Sequence, residues 1–331
     1  MNAIFKLAAA TAMSLTTVSA AHSAEQIRIL TPTWLGFAPV HVAIKNECFA
    51  KRDLDVTIRF EDDLANVMAA MTRGDIEVQM RSVGEYQGRP RDKDTPGIII
   101  GIIDESVGSD GIIADDKIKT VADLKGKTIA AEPNIPARLL LQMALREAGL
   151  SLADLSLKDI ASADTAAVFA DESIAAVATY EPFMSQAIAN SSRPGAKQFL
   201  TSKDYPGLIV DAIIARNDDL KASPEKYAAF LACIYEAVDF IHAEPQQFAE
   251  MVAPEFGLTP DEVTGIVKGS LAYTTLAQAR DYMGTGGTLG KLGTVFDTVM
   301  DLNLENGAAD NKLVASEQID NSIISTLPAT P

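Results

Sequence analysis

From Glu25 onward, short runs rich in β-branched residues alternate with longer stretches whose apolar positions recur every three or four residues. The first kind predicts strands at 26–31, 56–60, 76–81, 97–103, 127–131, 173–179 and 208–215. Several are apolar on both phases, as 97–103 is, which suits strands covered on both faces by crossover helices. The second kind predicts helices at 39–49, 64–73, 136–148, 224–242, 245–256 and 289–302. Pro39, Pro136, Pro224 and Pro245 open four of them, where the missing N–H costs nothing, and Gly74 and Gly149 close two. The expected class is α/β. In the strand 76–81, Arg81 shares its phase with Glu77 and Gln79, so a solvated side chain is expected there.

A set of strands and helices between about 115 and 205 is self-contained, and the tail after the strand 208–215 reads as all-helical. The expected organisation is one discontinuous lobe, 25–114 with 206–331, carrying a second lobe inserted at 115–205. Two crossings between lobes make a hinge, and a ligand belongs in the cleft between them.

The first 24 residues carry one charge, Lys6, then a run of apolar and small residues ending in Ala20, Ala21 and Ala24. This pattern predicts a signal peptide at 1–24, and its Thr and Ser interruptions make it too polar and short to persist as a ~30 Å membrane span. A soluble periplasmic protein is expected. Acids outnumber bases 45 to 28, so a nucleic-acid partner would be repelled at long range. Cys48 and Cys233 are too few for a disulfide framework or a four-thiolate metal site. They could form one bridge, but their apolar neighbours favour two separate buried thiols.

Several segments, in order, carry a family likeness: ThrTrpLeuGlyPheAlaProValHisValAla (33–43), LeuAspVal (54–56), ArgGlyAspIleGluVal (73–78), the run 104–114, LeuLysGlyLys within 121–133, and TyrGluProPheMetSerGlnAla (180–187). Together they resemble the periplasmic substrate-binding proteins of nitrate, sulfonate and taurine-type ABC importers and the related binders of thiamine-pyrimidine precursors. The resemblance runs from about residue 25 to about 300. It implies a type II periplasmic binding fold, two α/β lobes on a two-crossing hinge with a helical C-terminal tail. It implies as partners a small-molecule solute, an ABC permease and its ATPase, and a monomeric receptor with no cofactor. Where the family has glycine this chain has Glu47 and Asp53, so Asn46 or Asp53 is expected to take a left-handed backbone.

Candidate ligand contacts gather where strands end. Trp34, Gly36 and Phe37 leave a strand for a helix, and the resemblance makes Trp34 a cleft wall. Asp104, Ser106 and Asp110 follow the apolar strand 97–103 and lead to the first crossing. Glu132, Asn134 and Arg138 surround a helix start, where free N–H groups favour negative charge. Tyr180 and Glu181 end the strand 173–179, and Asp211 interrupts the apolar strand 208–215, a costly place for an unpaired carboxylate. Glu85 and Tyr86 are weaker candidates.

An enzyme of this fold, pyrimidine synthase-like or desulfinase-like, is the rival reading. After the leader only His41 and His242 remain, and no HisGluxxHis, CysxxCys or phosphate-loop pattern occurs. Cys48 lies two helical turns from His41, beyond the reach of a base that would activate it. No catalytic residue, metal or cofactor is therefore expected. Acids outnumber cations among the candidates, which favours a small nitrogen-containing organic solute over an anion such as a sulfonate or nitrate.

Overall fold

The computed structural model describes residues 24–133 and 135–328. The predicted signal peptide, bar its last residue, and Asn134 lie outside the described residues.

Among the described residues, eleven strands form two sheets. β1 (Glu25–Thr31), β2 (Leu54–Phe60), β3 (Val78–Ser82), β4 (Ile98–Ser106), β10 (Val210–Ala215) and β11 (Leu271–Tyr273) make the first, in the order β11-β4-β10-β3-β1-β2. The second contains β5 (Asp110–Ala114), β6 (Thr128–Ala131), β7 (Ser156–Asp159), β8 (Ile174–Tyr180) and β9 (Lys197–Thr201), in the order β7-β6-β8-β5-β9. Each sheet is mixed: β1 runs parallel to β2 and β3, while β10 runs antiparallel to both β3 and β4. In the second, β6 is parallel to β7 and β8, and β5 is antiparallel to β8 and β9. The chain passes from the first sheet to the second after Ser106 and returns before Val210.

The helices that place the site follow strand ends. They are α1 (Ala38–Lys45), α2 (Leu64–Arg73), α3 (Val83–Gln87) and α4 (Pro136–Glu147). Asp63 caps α2 through Ala65 N, Gly74 closes it at φ 77°, and Pro136 opens α4. The 20-residue helix Pro224–Ala243 is apolar around most of its circumference because it is buried against the first sheet, where Phe230, Leu231, Ile234 and Tyr235 are wholly enclosed. The helix Lys291–Glu305 meets both bodies. Its Val295, Val299 and Leu302 pack with Leu139 and Leu140 of α4, and its Phe296 faces Tyr86.

Several expectations are corrected. The strand expected to stop at 103 continues to Ser106, so Asp104 is within β4 and not beyond it. The tail is not all-helical: β11 pairs with the end of β4. The helix expected over 39–49 stops at Lys45, since Glu47 takes left-handed backbone at φ 56°; Asp53, which closes the following 3-10 turn Ala50–Arg52, does so too at 55°. Asp53 was one of the two expected positions; Asn46, at φ −83°, is the ordinary C-cap of α1.

The cysteines are joined. Cys48 and Cys233 form a disulfide across 185 residues with Cα atoms 5.7 Å apart. The packing of α1 against the helix Pro224–Ala243 brings the two positions together, which sequence separation and local apolar character do not reveal. Neither is a free buried thiol.

Candidate functional site

The two sheets turn their carboxyl edges toward one another around a cavity of about 590 Å³. From the first sheet come Thr33 and Trp34 after β1, Asp62 and Asp63 after β2, Arg81 of β3, Glu85 of α3 and Asp211 of β10. From the second come Asp110, where β5 starts, Glu132 and Pro133 after β6, and Tyr180, where β8 ends. This is where α/β folds bind ligands, because loops there are free of the ladder and their polar groups point outward.

Trp34 occupies the end of β1 as the N-cap of a short 3-10 turn, Leu35–Phe37. Its ring meets Tyr180 edge-on across the gap between sheets, at 6.2 Å between centroids, and Tyr180 stacks edge-on against Phe183 at 5.3 Å. One wall is therefore aromatic and draws on both sheets. Burial and the nearby carboxylates Glu132 and Asp62 hold the Tyr180 hydroxyl well above its ordinary pKa, so it stays protonated.

The floor is acidic. The register of β4 and β10 sets Asp104 directly opposite Asp211. Asp104 has no exposed surface, Asp211 is 6% exposed and lines the cavity, and Asp110 is 4% exposed beside them. Neither oxygen of Asp104 nor the Trp34 Nε1 reaches hydrogen-bond geometry with any described residue, although Asp211 and Trp34 are the polar groups beside that carboxyl. Burial is the main cause that lifts Asp104 to about 8, with the acids Asp110 and Glu105 adding to it. Asp211 rises well above the carboxylate range, first through burial and then through Asp104, Glu85 and Asp110. Burial also lifts Asp110 to about 7.

Arg81 is buried, at 2% exposure, and not solvated as its phase predicts. Every residue of β3 is buried, because the chain turns straight into α3 and the β2–α2 loop closes over the strand's end. Arg81 donates to Glu85 Oε1 at 3.1 Å and to the carbonyls of Glu61 and Asp62 at 2.6 and 3.2 Å. Glu85 in turn accepts from Ser82 N and Oγ in a capping box that starts α3. The cation lining this end of the cavity is thus engaged by the protein's own acceptors.

Of the residues singled out in the sequence, Trp34, Phe37, Asp110, Glu132, Tyr180 and Asp211 line the cavity together, and so does the weaker candidate Glu85. Glu132 accepts from Ser162 N and Oγ, at 3.0 and 2.6 Å. Asp104 and Gly36 lie behind this layer, Gly36 packed against the Asp104 carboxyl and the Trp34 indole. Ser106 is the last residue of β4, at the start of the first crossing, and its Oγ meets Ser202 Oγ of the second at 2.8 Å. Arg138 points to Asp159, at 3.3 Å, and Glu181 accepts from Ser185 N and Oγ, so neither lines the cavity. Tyr86 is core, bonded to the Gly97 carbonyl. Sequence reasoning missed Asp62, Asp63, Ser162 and Phe183. The acids 61–63 directly after a predicted strand were the available signal. Among the described residues no three His, Cys, Asp or Glu side chains are grouped to hold a metal ion, and no helix is long and apolar enough to cross a membrane.

The family model of NMT1/THI5-like proteins matches residues 34–248, well over half of the chain. The chain belongs to the NMT1/THI5-like family. A protein of Brucella abortus described as a binding protein is 32% identical over 151 residues, 45% of this chain and 47% of its own length. The match thus spans about half the length of such curated relatives. The crystal structure of the periplasmic aliphatic sulphonate binding protein of Escherichia coli superposes with a TM-score of 0.75 at 19% identity, covering 89% of this chain and 97% of that one. The alkanesulfonate-binding protein of Xanthomonas axonopodis pv. citri, bound to MOPS, does so with a TM-score of 0.72 at 16% identity, covering 90% and 98%. The fold is that of the type II periplasmic binding proteins, two α/β bodies with two chain crossings and a helical C-terminal region.

Proposed function

We infer that this protein is the periplasmic solute-binding receptor of an ABC importer. It captures a small polar nitrogen-containing organic solute in the cavity between the two sheets and delivers it to a membrane permease driven by an ATPase. The observation that carries this reading is the cavity itself, with an aromatic wall built from both sheets facing a floor of carboxyl groups. Its volume suits a small organic molecule, and six acids line it against two arginines. Arg81 is engaged by Glu85, and Arg89 pairs with Asp310. The two lobes part at the crossings 107–109 and 202–209, and closure over the solute brings Trp34 and Tyr180 against it. The receptor is a monomer exported by its signal peptide, without cofactor and without turnover of the solute.

A sulfonate reading draws on the names of the structural relatives and on the start of α4, where Pro133, Ile135 and Pro136 line the cavity. The acidic floor weighs against it.

Native mass spectrometry of the mature protein purified from its own organism will reveal a carried-over solute, and solution scattering with that solute will show a smaller radius of gyration. An unchanged scattering profile at saturation would remove the receptor reading.

A further inference from the structure

The Asp104 and Asp211 pair has no use in the fold that matches its cost. Two buried carboxyl groups face each other across adjacent strands, and Asp104 has no hydrogen-bond donor within geometry on either oxygen. Their surroundings, taken element by element, add negative charge. Glu105 shares β4, Asp110 starts β5 and Glu85 sits on α3, while Tyr273 of β11, opposite Asp104, is a neutral phenol that donates to the Leu35 carbonyl. The nearby cation, Arg81 of β3, is held by Glu85 and two backbone carbonyls. Buried carboxylates so placed cannot both ionise without a compensating positive charge. Asp211 lines the cavity together with the aromatic rings of Trp34, Tyr180 and Phe183, a residue type that attracts a cation as well as an apolar ring.

We propose that the solute carries a cationic N–H group that seats on the Asp211 carboxyl, and that its arrival expels a proton from the Asp104 and Asp211 pair. This rests on the receptor reading and names the charge class of the solute. The step balances simply: one carboxyl O–H ionises, the proton passes to bulk water, and the ligand's positive charge replaces it beside the pair. Because the pair keeps that proton through neutral pH, uptake competes with protons, and affinity rises with pH until the pair ionises unaided.

The test uses three probes of one shape, benzamidine (cationic), benzamide (neutral) and benzenesulfonate (anionic). Binding is followed by Trp34 fluorescence and by calorimetry in two buffers of different ionisation enthalpy, which counts protons released. Expected is benzamidine binding at least about tenfold tighter than benzamide, with affinity rising about tenfold or more between about pH 6 and about pH 8 and close to one proton released. Asp211→Asn weakens benzamidine about tenfold or more. Asp104→Asn retains binding but abolishes proton release and the pH slope. The wild-type pH slope stands as a test even if a variant does not fold. Preference for benzenesulfonate, benzamidine binding indifferent to pH, or no binding by any of the three overturns the proposal. Benzenesulfonate that compacts the protein in solution scattering would overturn it while leaving the receptor reading intact.

Discussion

Gly36 and Asp104 touch so closely that no other residue fits at position 36 without displacement. A β-carbon there would lie 2.1 Å from Asp104 Oδ2 and 2.2 Å from Trp34 Nε1. The glycine thus lets the chain leaving β1 pass over the carboxyl while carrying the indole into the cavity wall. Gly36→Ala is expected to push Trp34 outward and cost about 1–3 kcal/mol. Because Trp34 is the chain's one tryptophan, a red-shifted emission maximum together with a lower denaturation midpoint will report both effects.

The acidic floor predicts an unusual pH profile for the ligand-free protein. Asp104, Asp110 and Asp211 have folded-state pKa values above their unfolded ones. In that window the unfolded chain binds fewer protons than the folded one, so stability falls as pH rises. Between about pH 5 and about pH 8 the loss is expected to reach several kcal/mol. Urea denaturation across that range checks it, and Asp211→Asn should flatten the slope.

Arg81 and Glu85 form a buried pair whose halves depend on each other. Arg81→Ala strands the Glu85 carboxylate and leaves the carbonyls of Glu61 and Asp62 without their donor, for an expected loss of about 3–5 kcal/mol. Arg81→Ala with Glu85→Gln should recover part of it. A double-mutant cycle by chemical denaturation measures the coupling.

The bridge between Cys48 and Cys233 closes a very long loop, so its effect on the unfolded chain is large. Cys48→Ser with Cys233→Ser is expected to lower stability by about 2–5 kcal/mol while leaving solute affinity near the parent's, since neither residue lines the cavity. Thermal unfolding with and without reductant will show the difference in the parent and none in the variant.

The strands that the sequence reveals are those whose burial leaves a pattern. β4 and β10 are dense in isoleucine and covered on both sides, whereas β7, β9 and β11 are short or half-exposed strands at sheet edges and offer no period to detect. Asp104 and Asp211 stand out as acids in apolar runs, but their opposition follows from an antiparallel register between strands far apart in sequence. The burial of Arg81 likewise depends on α3 and the β2–α2 loop closing around β3, a tertiary effect that alternation along one strand cannot carry. The disulfide depends on helix packing in the same way. Site residues at strand ends were legible by topology, since the carboxyl edge is predictable once the strands are.

β10 sits third of six in the first sheet, hydrogen-bonded to β3 on one side and β4 on the other, yet every strand of the second sheet precedes it in the chain. As the polypeptide emerges from its exit pore, β1, β2 and β3 therefore wait beside an unfilled gap, with β4 unable to join them, until some two hundred residues have appeared. Both flanks of that gap, isoleucine-rich β4 and wholly buried β3, are open edges until β10 arrives, the kind that pair with strangers. β10 follows every strand of the inserted body and precedes β11, and it is the strand that closes the gap and sets Asp211 opposite Asp104.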